Sequence, residues 1–435
     1  NAYSRQIQKK LAAARLIRKD SRLRSVVLTY FGCGPDSFAN PFFKDEVGEP
    51  CYIMQIDEHT ADAGVITRIE AFADTAIDVE LNKDFQIIRT GERSLKRLEG
   101  RKLWIPYASE AARILAATMK AYGLDADVIP HSPDPGMNRA RAAISEDVCL
   151  PALVTTEDIL NRIDQPDFDS RKEAFFQGNS DGPCRFGMYY MLQRRILDKL
   201  GLESVDMVTL GSRSEHGGLG THFAMVAYDG FVAHDLVQKM LYRTRPYEVN
   251  PGESDALFEK YVQKICDMIP EHKRRTQDGF GKLRSLFSAG HLGPLQDLLQ
   301  LAQRDFENIP KKSGKRPLVG VVGEFFVRIH EGSNQDIVRK IEAYGGEVWL
   351  APATEFFTYA NHISTILSKE AYADTRNRKH LMEHIARTVN DKLALRDEHA
   401  LYHSTLPFLK GYDDIGPAEI IQEGSKYVHY TFGGE

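Results

Sequence analysis

The sequence predicts an α/β fold with parallel-sheet domains and a helical region. Short β-rich runs alternate with helical patterns over residues 25–221, and such alternation is typical of parallel sheets. Residues 222–310 carry long helical periodicity without strand signals. A chain of 435 residues is long enough for two or three domains and a substantial core.

Residues 1–24 predict an N-terminal helix. They carry eight Lys or Arg and one acidic residue, with Leu11, Ala12, Leu16 and Ile17 at helical spacing. One interpretation is a basic dock for a nucleotide or an acidic partner. The charge pattern favours a solvated helix that packs one stripe against the rest of the protein.

Residues 25–130 predict a first α/β domain. Its first apolar run has the length and β-branched content of a buried strand. Gly123 is the expected left-handed cap after a helix. The strands are expected at 26–31, 52–56, 103–106 and 127–130, and that helix at 108–122.

Residues 131–221 predict a second α/β domain. A helix is expected from Thr156, with Thr155 or Thr156 as its cap. A further helix is expected at 186–200 and a strand at 205–210.

The last part of the chain is divided into three predicted regions. Residues 222–310 are helical, residues 311–355 form a returning βαβ unit, and residues 356–435 are a C-terminal helical region with a polar tail. The βαβ unit contains a buried strand at 318–322, a helix at 336–344 and a strand at 347–351.

Composition excludes several classes of protein. A net charge of −5 argues against a dedicated nucleic-acid binder. No apolar run approaches the roughly 20 residues of a membrane span. Five cysteines in so long a chain are not a secreted disulfide framework, so we expect a cytoplasmic protein. No GxxxxGK[S/T] phosphate loop is present.

The five cysteines fall into two groups. Cys266 lies on an apolar helix stripe and Cys51 directly precedes a strand, so both are expected to be structural. Cys33, Cys149 and Cys184 each lie within two residues of glycine or proline, at a junction between elements. Three thiolates can hold a four-iron cluster and leave one iron open, whereas a closed zinc site needs four ligands.

The residues alone leave other interpretations of these cysteines open. Their spacing matches no compact metal motif, so they can also be unrelated loop residues. A Cys–His nucleophilic pair, with His59 or His216 as the base, is a further alternative.

Acidic residues and a histidine follow the second predicted strand. Asp57, Glu58, His59 and Asp62 are suited to acid–base chemistry. The alternative is that the carboxylates cap the next helix and pair with Arg68. Another such group, Glu324 and Arg328, either faces the same crevice or only caps a helix.

Six motifs of the sequence are long or unusual: FGCGPDSF, DEHTADAGVITRIEAF, EDVCLPAL, GPCRFGMYY, RPYE at 245–248 and VGVVGEFFVR. Together they resemble the 2-hydroxyacyl-CoA dehydratase and benzoyl-CoA reductase superfamily. The likeness is greatest to the dehydratase-like part of activase-related proteins and to double-cubane cluster proteins, and it runs from about Tyr3 to about Asn361. The sequence departs from the family in two ways: it shows no activase domain, and it does not show the additional α/β half that is usual in the family's dehydratase portion.

The resemblance implies Rossmann-like α/β domains and a helical domain around an iron–sulfur cluster. Its motifs assign the cluster ligands to Cys33, Cys149 and Cys184. The cluster is then a [4Fe-4S] cluster or, where two cubanes are joined, a double-cubane [8Fe-9S] cluster. The resemblance also implies an activase-type ATPase as electron donor and a dimer with a homologous or identical second subunit. The expected substrate is an acyl-CoA or another small reducible molecule.

We therefore expect a cluster-bearing component of an anaerobic, ATP-dependent, low-potential reductase or dehydratase system. In this hypothesis Glu58, His59 and Arg68 line the site as proton donors or anion holders. The alternative is a non-catalytic subunit that carries a cluster or assembles a larger redox complex.

Overall fold

The computed structural model describes residues 5–29, 34, 36–48, 50–56, 62–77, 98, 100–131, 136–144, 148–179, 184–210, 218–277, 288–412 and 417–424. The chain divides into two compact units, each made of two segments. Unit 1 contains residues 1–101 and 135–218, and unit 2 contains residues 102–134 and 219–435.

Helices make up most of the described chain. The strands are β1 (Ser25–Thr29), β2 (Cys51–Gln55), β3 (Lys102–Ile105), β4 (Asp125–Val128), β5 (Glu173–Phe176), β6 (Asp206–Val208), β7 (Leu318–Val321) and β8 (Glu347–Leu350). The helices are α1 (Arg5–Lys19), α2 (Asp36–Val47), α3 (Asp62–Ile77), α4 (Ala111–Ala121), α5 (Asn138–Ala143), α6 (Leu150–Ile163), α7 (Tyr189–Lys199), α8 (Gly220–Thr244), α9 (Glu253–Gln277), α10 (Gly293–Asn308), α11 (Phe325–Ile329), α12 (Ile337–Ala343), α13 (Thr354–Thr375), α14 (Arg378–Leu409) and α15 (Pro417–Gly424).

The strands within each unit pair in parallel. In unit 1, β1 pairs with β2 and β5 pairs with β6. In unit 2, β3 pairs with β4 and β7 pairs with β8. The prediction of an α/β protein with parallel sheets is therefore confirmed.

Helix α1 packs one stripe against unit 1. Ile7 and Ala14 are fully buried, while Leu16 points outward. Ile7 contacts the cluster that contains Phe38, and Ala14 contacts the one that contains Phe43, and both phenylalanines lie on α2. The structure thus shows the arrangement that the charge pattern favoured, a solvated helix with one packed stripe.

Two of the predicted strands are not buried on both faces. Burial alternates along β1, where Leu28 is 61% exposed, and β7 is exposed at Leu318. Val322, expected to end a buried strand, is 71% exposed and lies beyond β7. The prediction of full burial was wrong because an apolar run of this length is also compatible with a strand that is covered on one face.

The core of unit 2 lies between α4 and the long helices α8, α9, α10 and α14. Gly230 on α8 allows the closest approach. A Cβ atom at this position would lie 2.7 Å from Ile114 Cγ2 on α4 and 3.0 Å from Ile269 Cδ1 on α9. A larger residue would therefore force these helices apart.

Buried polar side chains interrupt the apolar surface of the long helices. On α8 alone, Asp229, Asp235 and Lys239 are buried. No helix in the described ranges is both long and apolar enough to cross a membrane.

A neutral buried histidine in unit 2 predicts acid sensitivity. Burial, followed by the charge of nearby His131, lowers the pKa of His330 to about 4. His330 stacks on Phe326, and its Nδ1 accepts the Ser333 backbone N–H at 2.9 Å. Below pH ~6.5 the unfolded chain binds a proton that the folded chain excludes, so stability falls as the pH drops towards 4.

Between pH 7 and pH 5, His330 is expected to remove about 2 kcal/mol from the free energy of unfolding. Urea titrations of the wild type and of His330→Asn measure this contribution of His330 to the free energy of unfolding. Asparagine keeps a hydrogen-bond acceptor but does not titrate. Equal pH slopes for the two proteins would show that His330 has the same pKa in the folded and unfolded states, and the prediction would then be wrong.

Candidate functional site

Two of the three predicted cluster ligands lie directly before helical turns in unit 1. Cys149 is the N-cap of α6, and Cys184 is the N-cap of the 3-10 turn Arg185–Met188 that leads into α7. Cys33 lies outside the described residues, and α2 begins three residues after it. Each candidate cysteine therefore lies at, or shortly before, the start of a helical segment.

The start of α6 differs from the prediction. The helix begins at Leu150 rather than Thr156, and Thr155 lies inside it, with its hydroxyl donating to the Pro151 carbonyl at 2.8 Å. The prediction was wrong because proline is tolerated in the first turn of a helix, where its missing N–H has no intrahelical acceptor. This correction moves Cys149 from a loop to a helix cap.

The three helix starts converge on one hydrophobic cluster. Phe38 on α2 stacks on Tyr189 on α7, with the ring centroids 5.4 Å apart. The guanidinium of Arg185 donates to the Ser37 hydroxyl at 3.3 Å. Cys149 packs against the same cluster. The starts of α2, α6 and α7 are thus held together in the folded unit, although more than a hundred residues separate Cys33 from Cys149.

Strand β5 and the loop after it support this convergence, and the strand was not predicted from the sequence. The Gln193 side chain on α7 donates to Thr155 on α6 at 3.1 Å and to Gln177 directly after β5 at 3.0 Å. A Cβ atom on Gly178 would lie 2.4 Å from the Phe186 ring, so only glycine fits there. The Phe186 ring, two residues after Cys184, is therefore packed directly against the backbone of Gly178.

Cys149 and Cys184 each directly precede the first backbone N–H groups of a helical segment. Backbone N–H groups at a helix N-terminus stabilise negative charge, and Arg185 adds a cation beside Cys184. Cys149 is half-buried and Cys184 is exposed. By contrast, burial raises the pKa of Cys266 to about 11, and Cys266 packs against the core of unit 2. The expectation that Cys266 is structural is consistent with this environment.

The predicted acid–base residues are only partly described. Glu58, His59 and the alternative base His216 lie outside the described residues. Arg68 lies on α3 and is exposed. For this group the assignment from the sequence stays a prediction.

Two of the quoted motifs have structural roles in unit 2. The Glu324 carboxylate accepts the Val327 N–H at 2.7 Å and so caps α11. In RPYE, the Glu248 carboxylate accepts the backbone N–H groups of Gly252 and Ser254 at 2.8 Å each, at the start of α9. Of the two interpretations of Glu324, the structure shows the second, in which Glu324 caps a helix.

A pocket of about 180 Å³ in unit 2 is lined by three arginines that are all engaged by carboxylates. Arg245 pairs with Glu342 and Asp255, Arg339 pairs with Asp255, and Arg328 pairs with Glu355. Because these cations are already neutralised, the pocket offers little charge to a phosphate or carboxylate ligand.

A second polar centre lies in the core of unit 2. It consists of Asp229 on α8, His272 on α9, His291 in the 3-10 turn Gly290–Leu292, and Asp397 on α14. All four side chains are buried. Burial alone would raise the pKa of Asp229, but His272 and His291 hold it below its usual value. Burial opposes a charge on His291, but the attraction of Asp229 and Asp397 raises its pKa to about 9.

This centre was not predicted from the sequence, although one signal for it is present. His272 lies on the same face of α9 as the apolar residues Val262, Ile265 and Ile269. A histidine on such a face is expected to be buried. Nothing in the sequence indicates that His272 meets Asp229, because the two residues are brought together only by the packing of α8 and α9.

Among the described residues, the helix starts of unit 1 and the buried polar centre of unit 2 are the two candidate sites. Their chemistry has to be judged from the residues themselves, because no family model matches the chain and no curated protein or solved structure matches it either.

Proposed function

We propose that this chain is the iron–sulfur cluster-bearing component of an ATP-dependent, low-potential reductase or dehydratase system. It would receive electrons from a separate activase-type ATPase. Its Rossmann-like domains would hold the cluster with Cys33, Cys149 and Cys184.

The observation that supports this proposal is the convergence of the three helix starts in unit 1. Cys149 and Cys184 are helix caps, α2 follows Cys33, and all three helix starts pack on one hydrophobic cluster. Iron–sulfur clusters are held by cysteine thiolates, and backbone N–H groups beside the sulfurs tune them. The donors on these turns therefore fit such a cluster by type and by electrostatic environment.

The residues of the chain would have separate tasks in this function. The cysteines bind, the helix N-termini and Arg185 stabilise negative charge, and the hydrophobic cluster excludes water from one side. When bound, the cluster supplies a low-potential electron carrier with one iron left open. Glu58, His59 and Arg68 would serve as proton donors or anion holders for an acyl-CoA or another small reducible substrate.

Anaerobic purification followed by iron and sulfide assays and EPR tests the proposal. We expect about four irons per chain, since a [4Fe-4S] cluster in each chain and a double-cubane [8Fe-9S] cluster shared by a dimer both give this ratio. EPR of the reduced protein separates the two cluster types. A folded, iron-free protein from anaerobic cells would refute the proposal.

The exposure of Cys184 favours a second function, that of a subunit that only carries the cluster to or within a larger redox complex. An exposed ligand lets a partner approach the metal. Reduced, cluster-loaded protein that converts no acyl-CoA but co-purifies with a large partner would indicate this function. Turnover with the activase would indicate the enzyme.

A further inference from the structure

The buried centre of unit 2 brings three potential metal ligands together from distant parts of the chain. The carboxylates of Asp229 and Asp397 and the imidazole of His291 each offer one ligand atom, and these atoms lie within 4.8 Å of one another. His291 Nε2 is 3.2 Å from Asp397 Oδ2 and 3.7 Å from Asp229 Oδ2. The three side chains are almost completely excluded from solvent.

Several polar atoms of the centre have no hydrogen-bond partner among the described residues. They are Asp229 Oδ1, Asp397 Oδ2 and both ring nitrogens of His291. Although His291 Nε2 is close to both carboxylates, neither oxygen lies in hydrogen-bond geometry with it. Buried charged groups without partners are costly, so unmatched atoms on three neighbouring buried side chains indicate a missing bound species.

Neighbouring side chains hold the two carboxylates in place. His272 Nε2 lies 2.8 Å from Asp229 Oδ2, and the Arg396 guanidinium donates to Asp397 Oδ1 at 2.6 Å. Each carboxylate thus has one oxygen engaged by a neighbour and the other without a described partner. Outer partners of this kind orient the ligands of metal ions in proteins.

We propose that Asp229, His291 and Asp397 bind a zinc ion that joins α8, the 3-10 turn and α14. One imidazole and two carboxylates suit zinc, whereas magnesium and calcium prefer oxygen ligands throughout. Zinc bonds at about 2.0–2.2 Å, so the three side chains would close slightly around the ion. This site lies wholly in unit 2 and does not depend on the cysteines of unit 1.

The metal-free alternative is an ion cluster. A protonated His291 together with Arg396 balances the charges of Asp229 and Asp397. This arrangement neutralises the centre, but it does not give the unmatched atoms their hydrogen bonds. The two arrangements differ in whether added zinc is bound and stabilises the protein.

Zinc binding is tested in the full chain with Cys33, Cys149 and Cys184 all replaced by serine, so that zinc cannot occupy those positions. After treatment with a chelator, ZnCl₂ is added, and bound zinc and the thermal unfolding midpoint are measured. We expect about one zinc per chain and a higher midpoint, and no rise with MgCl₂. For wild-type chain loaded with zinc, X-ray absorption should show a contribution from nitrogen and oxygen ligands.

The ligand variants Asp397→Asn and His291→Gln are expected to lose this zinc. His234→Gln is the matched control, because His234 is also a buried histidine of the unit 2 core but lies outside the three ligands. Unchanged zinc binding in both ligand variants would overturn the proposal. The proposal would also be wrong if the triple serine variant bound no zinc and the zinc in the wild type had only sulfur ligands. The metal-free ion cluster would then be the correct description of the centre.

Discussion

Replacing Cys149 with serine is expected to reduce the iron content of anaerobically purified protein roughly tenfold or more. A serine hydroxyl is a much poorer iron ligand than a thiolate, and Cys149 lies where the first turn of α6 stabilises negative charge. The same loss is expected for Cys33→Ser and for Cys184→Ser, because three thiolates are the minimum that this hypothesis requires. Iron and sulfide are measured per chain, together with the EPR signal of the reduced protein.

Cys266→Ser and Cys51→Ser are the matched controls. Cys266 has a raised pKa and packs in the unit 2 core, and Cys51 begins β2. Both variants should keep their iron, even if Cys266→Ser lowers stability. Equal iron loss in all five serine variants would show that the metal is bound without specific ligands, and the proposed cluster site would then be wrong.

Local signals predicted those parts of the fold that depend on neighbouring residues. Gly123 and Gly345 follow α4 and α12 with φ angles of +88° and +92°, as expected of left-handed caps. The parallel pairing of strands also followed from the alternation of strand and helix signals. In these places, backbone sterics within a few residues decide the structure.

Features that depend on tertiary contacts could not be predicted in the same way. β5 is fully buried and short, so it lacks the alternation that marks a strand. The exposed face of β1 depends on what covers the sheet, and the sequence of the strand does not contain that information. The chain changes unit between residues 101 and 102, directly before β3, without any shift in composition.

The candidate sites also differ in whether local sequence signals or tertiary contacts determine them. The three cysteines could be selected because each lies within two residues of a glycine or proline, and the described helix starts then proved to share one cluster. Asp229, His272, His291 and Asp397 come from four separate elements, with no common motif. Their meeting point is a property of helix packing, so only the folded structure reveals it.

The largest effect on stability is expected when the arginine of the RPYE motif is replaced. Arg245 is buried and binds Glu342 with two hydrogen bonds of 2.8 and 3.0 Å, and it binds Asp255 at 2.9 Å. Arg245→Met would leave the buried Glu342 carboxylate without its cation. Removing one partner of a buried ion pair costs about 3–5 kcal/mol, so the free energy of unfolding measured in urea should fall by this amount.

Arg339→Met provides the comparison, because Arg339 binds the same Asp255 at 2.8 Å but has a side chain that is 47% exposed, against 7% for Arg245. Its loss should cost less than ~1 kcal/mol. A large loss in Arg245→Met with normal iron content would mean that RPYE serves unit 2 as a structural motif. If the stability is unchanged while activity or iron is lost, the arginine instead acts on a ligand, and its carboxylate partners position it for that task.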